Sequence, residues 1–559
     1  MQIQRGLKKD TELTKFVLGA HPIIEHFMEM MRIRETLSSY LPSDKRLKLD
    51  DDKVITLLIH NILTTPYALY EMEDWLRPLD AEKVGLRLSE TCVIQDDRIG
   101  KGLVKFYRCR HQDVFFRLAL RAIKIFQLDC SRIHHDTTTV TFAGKYPGWS
   151  VQELLTHGKN KDHRPDLKQL VLGLSVTGDG AVPIAHRIYS GNQTDDRLHG
   201  ANHKALQKLL QRADFIYVAD SKLATEENLR KISAWHGLFV SVMPRTWKAD
   251  GEFRQQVQQG KISWQRILSR KNNRRPDSKF DHYDVAEGDY HTSHGYRLHW
   301  IHSSQKAEQD ADTRQRRIQR ALEQLREVQA KLNRYRLKER KRIAQRVKSI
   351  LKQEQCETLI AYEIHTTREY KHIYPKKGRP TKDASKKSVW KNVYSLSFAL
   401  DGDAVQFEAI TDGIFPLITN LDADTHPAKK VLEIYKFQPF LEKRHSQIKT
   451  YQEIAPVYLK NSERVVAFLH VHVMALMVAA LIERKLRLAM RKNKIRSLPI
   501  YPEERPCPSP TIFDIVRLFR NVERYEVTVG DDINIFPAQL TDLQKQVLEL
   551  LEVPIAAYQ

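Results

Sequence analysis

The amino-acid sequence predicts an α/β protein with a mixed sheet at its centre and helical regions at both ends, and two patterns support this. Up to about residue 125, apolar residues recur at three- and four-residue spacing, as in DDKVITLLIHNILTTPYALYEMEDWL, which is typical of amphipathic helices. From about residue 130 the pattern changes to short β-branched and aliphatic runs bounded by turn residues, which is typical of strands. The sheet therefore follows a helical N-terminal region, 1–125.

Five runs predict the strands of the sheet, and their order predicts its topology. They are TTTVTF, QLVLGLSVT, PIAHRIY, FIYVAD and LFVSVM, all between residues 137 and 243. The helical runs LHGANHKALQKLLQR and ATEENLRKIS stand between the third and fourth strands and after the fourth. Three sequential strands are thus followed by alternating helices and strands, a pattern that favours an α/β core.

Residues 251–415 predict a large insertion into this core. Alternating runs such as YDVAEGDYHTSHGYRLHWIHS predict antiparallel strands. Residues 307–353 combine helical spacing with many Arg and Lys residues, which predicts one long basic helix, lying beside DNA or presenting a solvated face. Further on, Gly378-Arg379-Pro380 with basic flanks resembles a minor-groove hook, so Arg379 is a candidate DNA contact; a plain basic loop is the alternative.

The C-terminal third is predicted to be mostly helical. Residues 465–482 are apolar and long enough to cross a bilayer, but they contain two histidines and are bracketed by charged residues. A buried core helix is therefore the favoured interpretation, and no membrane partner is expected. Residues 492–559 follow as an accessory or pairing segment.

Charge and cysteine content narrow the class of protein. The 559 residues carry 91 Lys and Arg against 69 Asp and Glu, a formal net charge of +22. A surplus of this size favours a polyanionic partner, because each neutralised phosphate releases counterions, and nucleic acid is the first candidate. The five cysteines include no C-x2-C pair, so neither a zinc ribbon nor a disulfide framework is encoded. With no secretory signal pattern at the start, a cytoplasmic protein is expected.

Two aspartates stand at strand positions where chemistry is possible. Asp136 enters the first strand through RIHHDTTTVTF, and Asp220 ends FIYVAD. A carboxylate at the carboxyl end of a strand points into a cleft, and two from neighbouring central strands can share divalent metal ions. Taken singly, each aspartate is as well explained as a turn former or a helix cap.

A third acidic residue lies on a predicted helix. The segment YKFQPFLEKRHSQIK places Tyr435, Glu442 and Lys449 at seven-residue intervals. Seven residues of an α-helix drift by only about 20°, so Glu442 and Lys449 are expected to share one face. Glu442 can then join a metal cluster and Lys449 can contact a phosphate, while a charged surface stripe is the alternative.

At these residues the sequence resembles the DDE transposases of bacterial insertion sequences, in the group whose last catalytic helix carries Y-x2-R-x3-E-x6-K. The matching positions are Tyr435, Gln438, Glu442 and Lys449. The segments HGKNKDHRPDLKQLVLGL, SGNQTD, YVADSKLAT and DGIFPLITN also resemble family motifs in the family's order. The resemblance covers residues from about 90 to 490.

The resemblance implies a ribonuclease H-like core, built from 126–250 and 416–491, with three antiparallel strands followed by two parallel ones. Asp136, Asp220 and Glu442 would be the catalytic, metal-binding residues, holding two Mg²⁺ (or Mn²⁺) ions for in-line displacement at a phosphodiester. The implied activity is cleavage and strand transfer at terminal inverted repeats. The implied partners are double-stranded transposon ends and target DNA, bound by a homodimer, with the N-terminal region binding the DNA end.

Two departures from the family pattern affect the expected DNA contacts. Gln438 replaces an arginine and brings no charge, so a nearby cation is expected to compensate. Pro439 is tolerated only in the first helical turn, so the helix is expected to begin there, with Tyr435 on the loop before it. The candidates for compensation are Lys436, Lys443 and Arg444. The residues expected to contact DNA are Lys449, Tyr435, Gln438, Arg444 and Arg379.

Two other functions remain open from the sequence. His135 and Asp136, with the neighbouring His134, His157 and His163, could form the metal cluster of another metal-dependent nuclease, although TTTVTF favours a strand over the helical frame that such a cluster needs. A domesticated DNA-binding protein without transposition activity is the second. Inverted repeats in the DNA that flanks the gene would favour a mobile element over either.

Overall fold

A computed structural model describes residues 11–142, 154–158, 164, 166–193, 195–272, 280–373, 387–452, 454, 459 and 461–559. Within it the chain divides into two compact units. The first unit consists of residues 1–241 and 432–559, and the second unit of residues 242–431. The second unit contains the whole of the segment 251–415 that the sequence predicts as an insertion.

The strands, in chain order, are β1 Thr11–Val17, β2 Arg132–Phe142, β3 Lys168–Thr177, β4 Pro183–Ser190, β5 Ile216–Val218, β6 Leu238–Val242, β7 Trp264–Lys271, β8 Phe280–Ala286, β9 Tyr290–His291, β10 Arg297–Ser303, β11 Ile360–Ile373, β12 Lys387–Leu400, β13 Ile414–Thr419, β14 Glu523–Val529 and β15 Asp532–Phe536. The α-helices are α1 His21–Met30, α2 Ile33–Tyr40, α3 Asp51–Thr64, α4 Met72–Leu76, α5 Asp96–Arg108, α6 His111–Ile125, α7 His199–Leu210, α8 Glu226–Ala234, α9 Lys248–Gln258, α10 Ser304–Ala330, α11 Arg340–Gln353, α12 Gly402–Ala409, α13 Ala428–Tyr435, α14 Gln438–Ser446, α15 Ser462–Lys492, α16 Ile512–Phe519 and α17 Asp542–Leu551.

The main sheet of the first unit has the strand order β4-β3-β2-β5-β6. Its first three strands pair antiparallel, whereas β5 runs parallel to both β2 and β6. Helices α7 and α8 connect the parallel strands. The threonine- and valine-rich β2 suits a central position because β-branched side chains pack well on a pleated surface. This topology is ribonuclease H-like, so the predicted fold class is confirmed.

Helices surround this sheet at both ends of the chain. Six helices, α1 to α6, occupy most of the region that the sequence predicts as helical. The exception is β1, which pairs antiparallel with β14 from the C-terminal segment, from Thr11 opposite Val529 to Val17 opposite Glu523. The hairpin β14–β15 completes that three-stranded sheet. The last segment of the chain therefore closes back on the first described residues.

Helix α15 is the apolar segment for which the sequence left a membrane span open. By length and composition it is the one helix of the described chain that could cross a bilayer, and 94% of its apolar window is buried inside the structure. It packs against α3 and α5. Its histidines are buried as well, and burial lowers the pKa of His472 to about 3, which keeps the imidazole neutral. The expectation of a buried core helix is confirmed.

The second unit contains an antiparallel sheet in the order β13-β10-β8-β7, with β9 paired to β10. Trp300 of β10 is buried at its centre and stacks on Phe253, with ring centroids 3.9 Å apart. Trp300 is therefore a core residue of the second unit.

The single long helix predicted for residues 307–353 is wrong, because two helices, α10 and α11, stand there. They are separated by residues 331–339, where Asn333 and Tyr335 adopt positive φ angles of 60° and 49°. The break lets the apolar stripes of both helices pack into one cluster with the base of the β11–β12 hairpin. A continuous helix would leave half of that stripe in water.

The hairpin β11–β12 pairs over fourteen residues of each strand, from Ile360 opposite Leu400 to Ile373 opposite Lys387. Residues 374–386, which join the two strands, lie outside the described residues. Arg379 is one of them, so its expected minor-groove contact stays a prediction.

Candidate active site

The register of two parallel strands brings Asp136 and Asp220 together. β2 pairs with β5 so that Arg132 is opposite Ile216 and His134 is opposite Val218. The same offset, carried two residues further, places Asp136 level with Asp220. Adjacent strands lie about 4.8 Å apart, and residues two positions apart share one face of a sheet. The two carboxylates therefore leave the same face of the core at the same height.

Local hydrogen bonds hold both aspartates in place. The Ser241 hydroxyl donates to the backbone carbonyl of Asp220 at 2.7 Å, which ties the end of β5 to β6. The Asp220 carboxylate accepts from the Lys222 N–H at 3.0 Å, and the Asp136 carboxylate accepts from the Thr137 N–H at 2.7 Å. Asp136 keeps 20% of its side chain exposed, so it can still receive a ligand.

Helix α14 carries Glu442 and packs on β2. Gln438 connects the two elements, since its Oε1 lies 3.1 Å from His134 Nδ1 and its amide nitrogen donates to the His135 carbonyl at 3.2 Å. Further along the helix, His445 Nδ1 lies 3.6 Å from an Asp136 carboxylate oxygen. Positions 438, 442 and 445 share one helical face. The exposed Glu442 therefore belongs to the face of α14 that meets the aspartates.

The charges of all three acids affect the pKa of one phenol, that of Tyr435. Burial raises the pKa of Tyr435, and the negative charges of Asp220, Glu442 and Asp136 raise it further, in that order. Tyr435 ends α13, so the expectation that it lies on a loop is wrong. The charges of all three carboxylates thus act on one phenol, which stays protonated at neutral pH.

The donor atoms suit a hard divalent cation. Carboxylate oxygens are the ligands that Mg²⁺ and Mn²⁺ prefer, and Mg²⁺ is commonly held by one or two carboxylates together with water and substrate phosphates. Within the described part of the chain, no group of three or more His, Cys, Asp or Glu side chains is arranged to hold a metal ion. Asp136, Asp220 and Glu442 bring the kind of oxygen donor that such an ion requires, and their joint binding of a metal stays a prediction.

The turn that follows α14 changes the predicted position of Lys449. Residues Gln447–Tyr451 form a π-helical turn, with hydrogen bonds that span five residues instead of four. Seven residues that include such a turn cover less rotation than seven α-helical residues. The prediction that one regular α-helix carries both Glu442 and Lys449 is therefore wrong, whereas their placement on one face stays a prediction. The partly buried Lys449 stays a candidate phosphate contact.

Arg444 was expected to contact DNA, and its position corrects that expectation. Its side chain is 4% exposed and forms an ion pair with Glu483 at 2.7 Å. It also donates to the carbonyl oxygens of Ala181 and Gly180, each at 2.9 Å. Every one of these partners is inside the first unit, so Arg444 stabilises the fold.

Gln438 is likewise buried, with both ends of its amide bonded to β2. This placement corrects its expected contact with DNA and explains the departure from the family pattern. A neutral amide can be buried beside His134 at low cost, whereas an unpaired guanidinium cannot. Pro439 stands in the first turn of α14, so the predicted start of that helix is confirmed.

Among the residues that the structure describes, the alternative histidine cluster is not assembled. His134 contacts Gln438 on one face of β2, whereas His135 lies 2.9 Å from the Ser175 hydroxyl and 3.0 Å from the Asn202 amide on the other. Burial lowers the pKa of His134 to about 4. Two neighbours on a strand point to opposite faces, so they cannot ligate one ion together. His163 lies outside the described residues.

Two residues that support the candidate site were not predicted from the sequence. His445 reaches Asp136, and Ser241 supports Asp220. His445 has a local signal, because it lies three residues after Glu442 in a helix and therefore on nearly the same face. Ser241 has none, since its role depends on the pairing of β5 with β6.

Comparison with known proteins adds little to this geometry. Residues 15–120, which cover most of the N-terminal helices, match a family model described as a domain of unknown function, DUF4277. No curated protein matches the sequence. Among solved structures, the chain is similar to a piggyBac transposase synaptic complex with hairpin DNA, at 8% identity and a TM-score of 0.35, over 90% of this chain and 81% of that one. Values this low carry no conclusion about activity.

Proposed function

We propose that the protein is a DDE transposase that binds the terminal inverted repeats of an insertion sequence and catalyses metal-dependent DNA strand cleavage and strand transfer. One observation supports this most directly: the register of β2 with the parallel strand β5, extended two residues past the end of β5, brings Asp136 level with Asp220, and helix α14, which carries Glu442, packs on β2. The net charge of +22 supports a DNA partner. A homodimer acting on two DNA ends in the cytoplasm belongs to the same proposal.

In this mechanism Asp136, Asp220 and Glu442 would hold Mg²⁺ or Mn²⁺ for chemistry at a phosphodiester. When bound, two such ions would activate the attacking hydroxyl and stabilise the departing oxygen. Tyr435, whose pKa is raised, stays protonated and can donate a hydrogen bond to a phosphate oxygen. His445 positions the Asp136 carboxylate, and Lys449 would add a cation near the phosphate.

The experiment is nicking of labelled DNA that spans the borders of the element, with and without Mg²⁺. We expect Asp136→Asn, Asp220→Asn and Glu442→Gln each to slow nicking by at least about 100-fold, a loss of roughly 2.7 kcal/mol of transition-state stabilisation. Duplex binding should persist because it depends on many basic contacts. Glu433→Gln is the matched control, since Glu433 is an exposed acid of the neighbouring helix α13.

Near-parental nicking by any of the three variants would remove that residue from the site. Parental protein that binds the border DNA but never nicks it, with either metal ion, would favour the domesticated DNA-binding protein. Stoichiometric zinc whose removal abolishes an activity that Mg²⁺ fails to restore would favour another class of nuclease.

A further inference from the structure

A second concave surface of the first unit lies on the other side of α14. Its lining includes Phe440, Lys443, Arg444 and Gln447, which occupy the helical face opposite Gln438 and Glu442. The end of α15 and residues 494–513 form the remaining walls, and the cleft has a volume of about 1180 Å³. We call this surface the basic cleft.

The lining of the basic cleft is strongly cationic. Eight Lys and Arg side chains line it, against Asp179 and Glu483. Arg444 and Arg487 pair with Glu483 at 2.7 and 3.3 Å, and Arg484 pairs with Asp179 at 2.6 Å. These pairs neutralise both acids and hold the floor of the cleft in place.

Five cations of the lining remain available to a ligand. In the part of the chain that the structure describes, none of them forms an ion pair with a carboxylate, and four are exposed. The five are Arg132, Lys443, Arg491, Lys494 and Arg496. Unpaired, exposed cations in a concave wall attract anions more strongly than the same charges on a convex surface. The cleft is therefore suited to a chain of phosphates.

Aromatic rings line the same cleft as these cations. Tyr451 is 50% exposed and stacks on Phe513, with centroids 4.0 Å apart; Phe440 is 42% exposed and stacks on Phe437 at 4.6 Å. Lys443 lies over the Phe440 ring, 5.1 Å from its centroid. Pairs of stacked rings with exposed members offer flat surfaces for further stacking, and unpaired bases have free faces to stack on them. Bases inside a duplex do not.

We propose that the basic cleft binds an unpaired, single-stranded segment of DNA, with the phosphates on Lys494 and Arg496 and the bases on Tyr451 and Phe440. This inference deepens the proposed function, on which the choice of DNA as the polyanion rests. A strand separated at a cleaved end would be the natural source of such a segment. The π-helical turn Gln447–Tyr451 ends at Tyr451, and the ring of Tyr451 lines the cleft.

The test measures binding alone, in EDTA, so that no cleavage is needed. The full-length protein is titrated into a fluorescein-labelled dT 12-mer, a 20-base-pair duplex and a U 12-mer, and anisotropy is followed at two salt concentrations. We expect the double variant Lys494→Ala/Arg496→Ala to weaken dT binding by about 10-fold and to lower the salt slope by about 1.4, which is about 0.7 for each lost phosphate contact. Tyr451→Leu should weaken dT binding by about 5-fold or more while leaving the duplex nearly unaffected.

The matched control is Lys341→Ala/Lys348→Ala, which removes two exposed cations of α11 that form no ion pair with a described carboxylate. Equal losses for the control and the cleft variant would overturn the inference, because they would show a general effect of charge. Tighter binding of the U 12-mer than of dT would also overturn it, in favour of RNA. Recovery of dT binding by Lys494→Arg/Arg496→Lys, with unchanged thermal unfolding, would support it and exclude misfolding as the cause.

A photo-crosslink locates the strand directly. Irradiation of a dT 12-mer that carries 4-thiothymidine should attach it to peptides from 437–451 or 494–513, and attachment only elsewhere would overturn the inference. This result is independent of the proposed function. Lost nicking with retained dT binding contradicts only the catalytic proposal, whereas nicking with dT binding that the cleft variants do not change contradicts only the cleft.

Discussion

Helix α10 of the second unit and the basic cleft of the first unit are both rich in arginine and lysine, but some of their cations differ in pairing. On α10, Arg314 pairs with Asp412 at 2.7 Å, Arg317 with Glu408 at 2.7 Å and Arg320 with Glu354 at 2.9 Å. In the cleft, Lys494 and Arg496 are exposed and have no carboxylate partner among the described residues.

A lysine or arginine in the sequence is not always available to bind an anion, because an acid of the protein can neutralise it. Three of the five arginines of α10, Arg314, Arg317 and Arg320, stand three residues apart, and each of these three meets an acid of the second unit. In the segment for which the sequence left a DNA-facing helix and a solvated face open, three cations therefore stabilise the fold of the second unit. The cleft was not singled out by the sequence, because its cations come from separate segments of the chain.

The largest expected change in stability is for Arg444, a buried cation in the lining of the basic cleft. Arg444→Met should lower the free energy of unfolding by about 3–5 kcal/mol, because it leaves the buried Glu483 carboxylate with only Arg487 as a cationic partner and leaves two carbonyl groups without a donor. Urea unfolding measures this. Lys443→Met is the control, since that neighbour is exposed and should change stability by less than about 0.5 kcal/mol. Similar values for both would show that Arg444 is not a structural cation.

A smaller loss of stability is expected on α10. Arg314→Leu should cost about 3 kcal/mol, because Asp412 then loses a two-point ion pair in a site where the arginine is only 8% exposed. The double variant Arg314→Leu/Asp412→Leu should recover most of that loss, since neither charge is then left alone. Binding of dT by the folded protein should not change. Weaker dT binding by Arg314→Leu would mean that this cation is not neutralised, which breaks the comparison.

Cations of the basic cleft should show the reverse pattern. Lys494→Ala/Arg496→Ala is expected to weaken dT binding by about 10-fold, or 1.4 kcal/mol, with thermal unfolding nearly unchanged, because these exposed side chains make no contact that folding requires. Anisotropy and a thermal melt on the same preparation measure both. Loss of stability without loss of dT binding would show that these cations stabilise the fold, as the paired arginines of α10 do.

The smallest effect is expected for the exposed cations of α11. Lys341→Ala/Lys348→Ala should weaken binding of either DNA form by less than about 3-fold and leave stability within roughly 0.5 kcal/mol, because these charges are exposed on a helix and outside the lining of the basic cleft. The decrease should disappear at high salt. A larger effect on duplex than on dT would sharpen the comparison, by assigning duplex contacts to the second unit.

Much of the local structure follows from local sequence. The threonine-rich run predicts β2 with Asp136 inside it, FIYVAD predicts a strand that ends at Asp220, and Pro439 predicts where α14 begins. The apolar run in α15 predicts a buried helix. These predictions succeed because periodicity and backbone preference act over a few residues and do not depend on the rest of the chain.

Other features depend on residues that are far apart in the chain. The offset between β2 and β5 places Asp136 beside Asp220 across 84 positions, and no local pattern specifies it. The break between α10 and α11 arises because two apolar stripes bury more surface against each other and the hairpin than one continuous helix can. Arg444 resembles its neighbour Lys443 in sequence, yet one is buried on Glu483 and the other is exposed. Pairing and burial are properties of packed surfaces, and a charged side chain is free or neutralised only once its neighbours in space are in place.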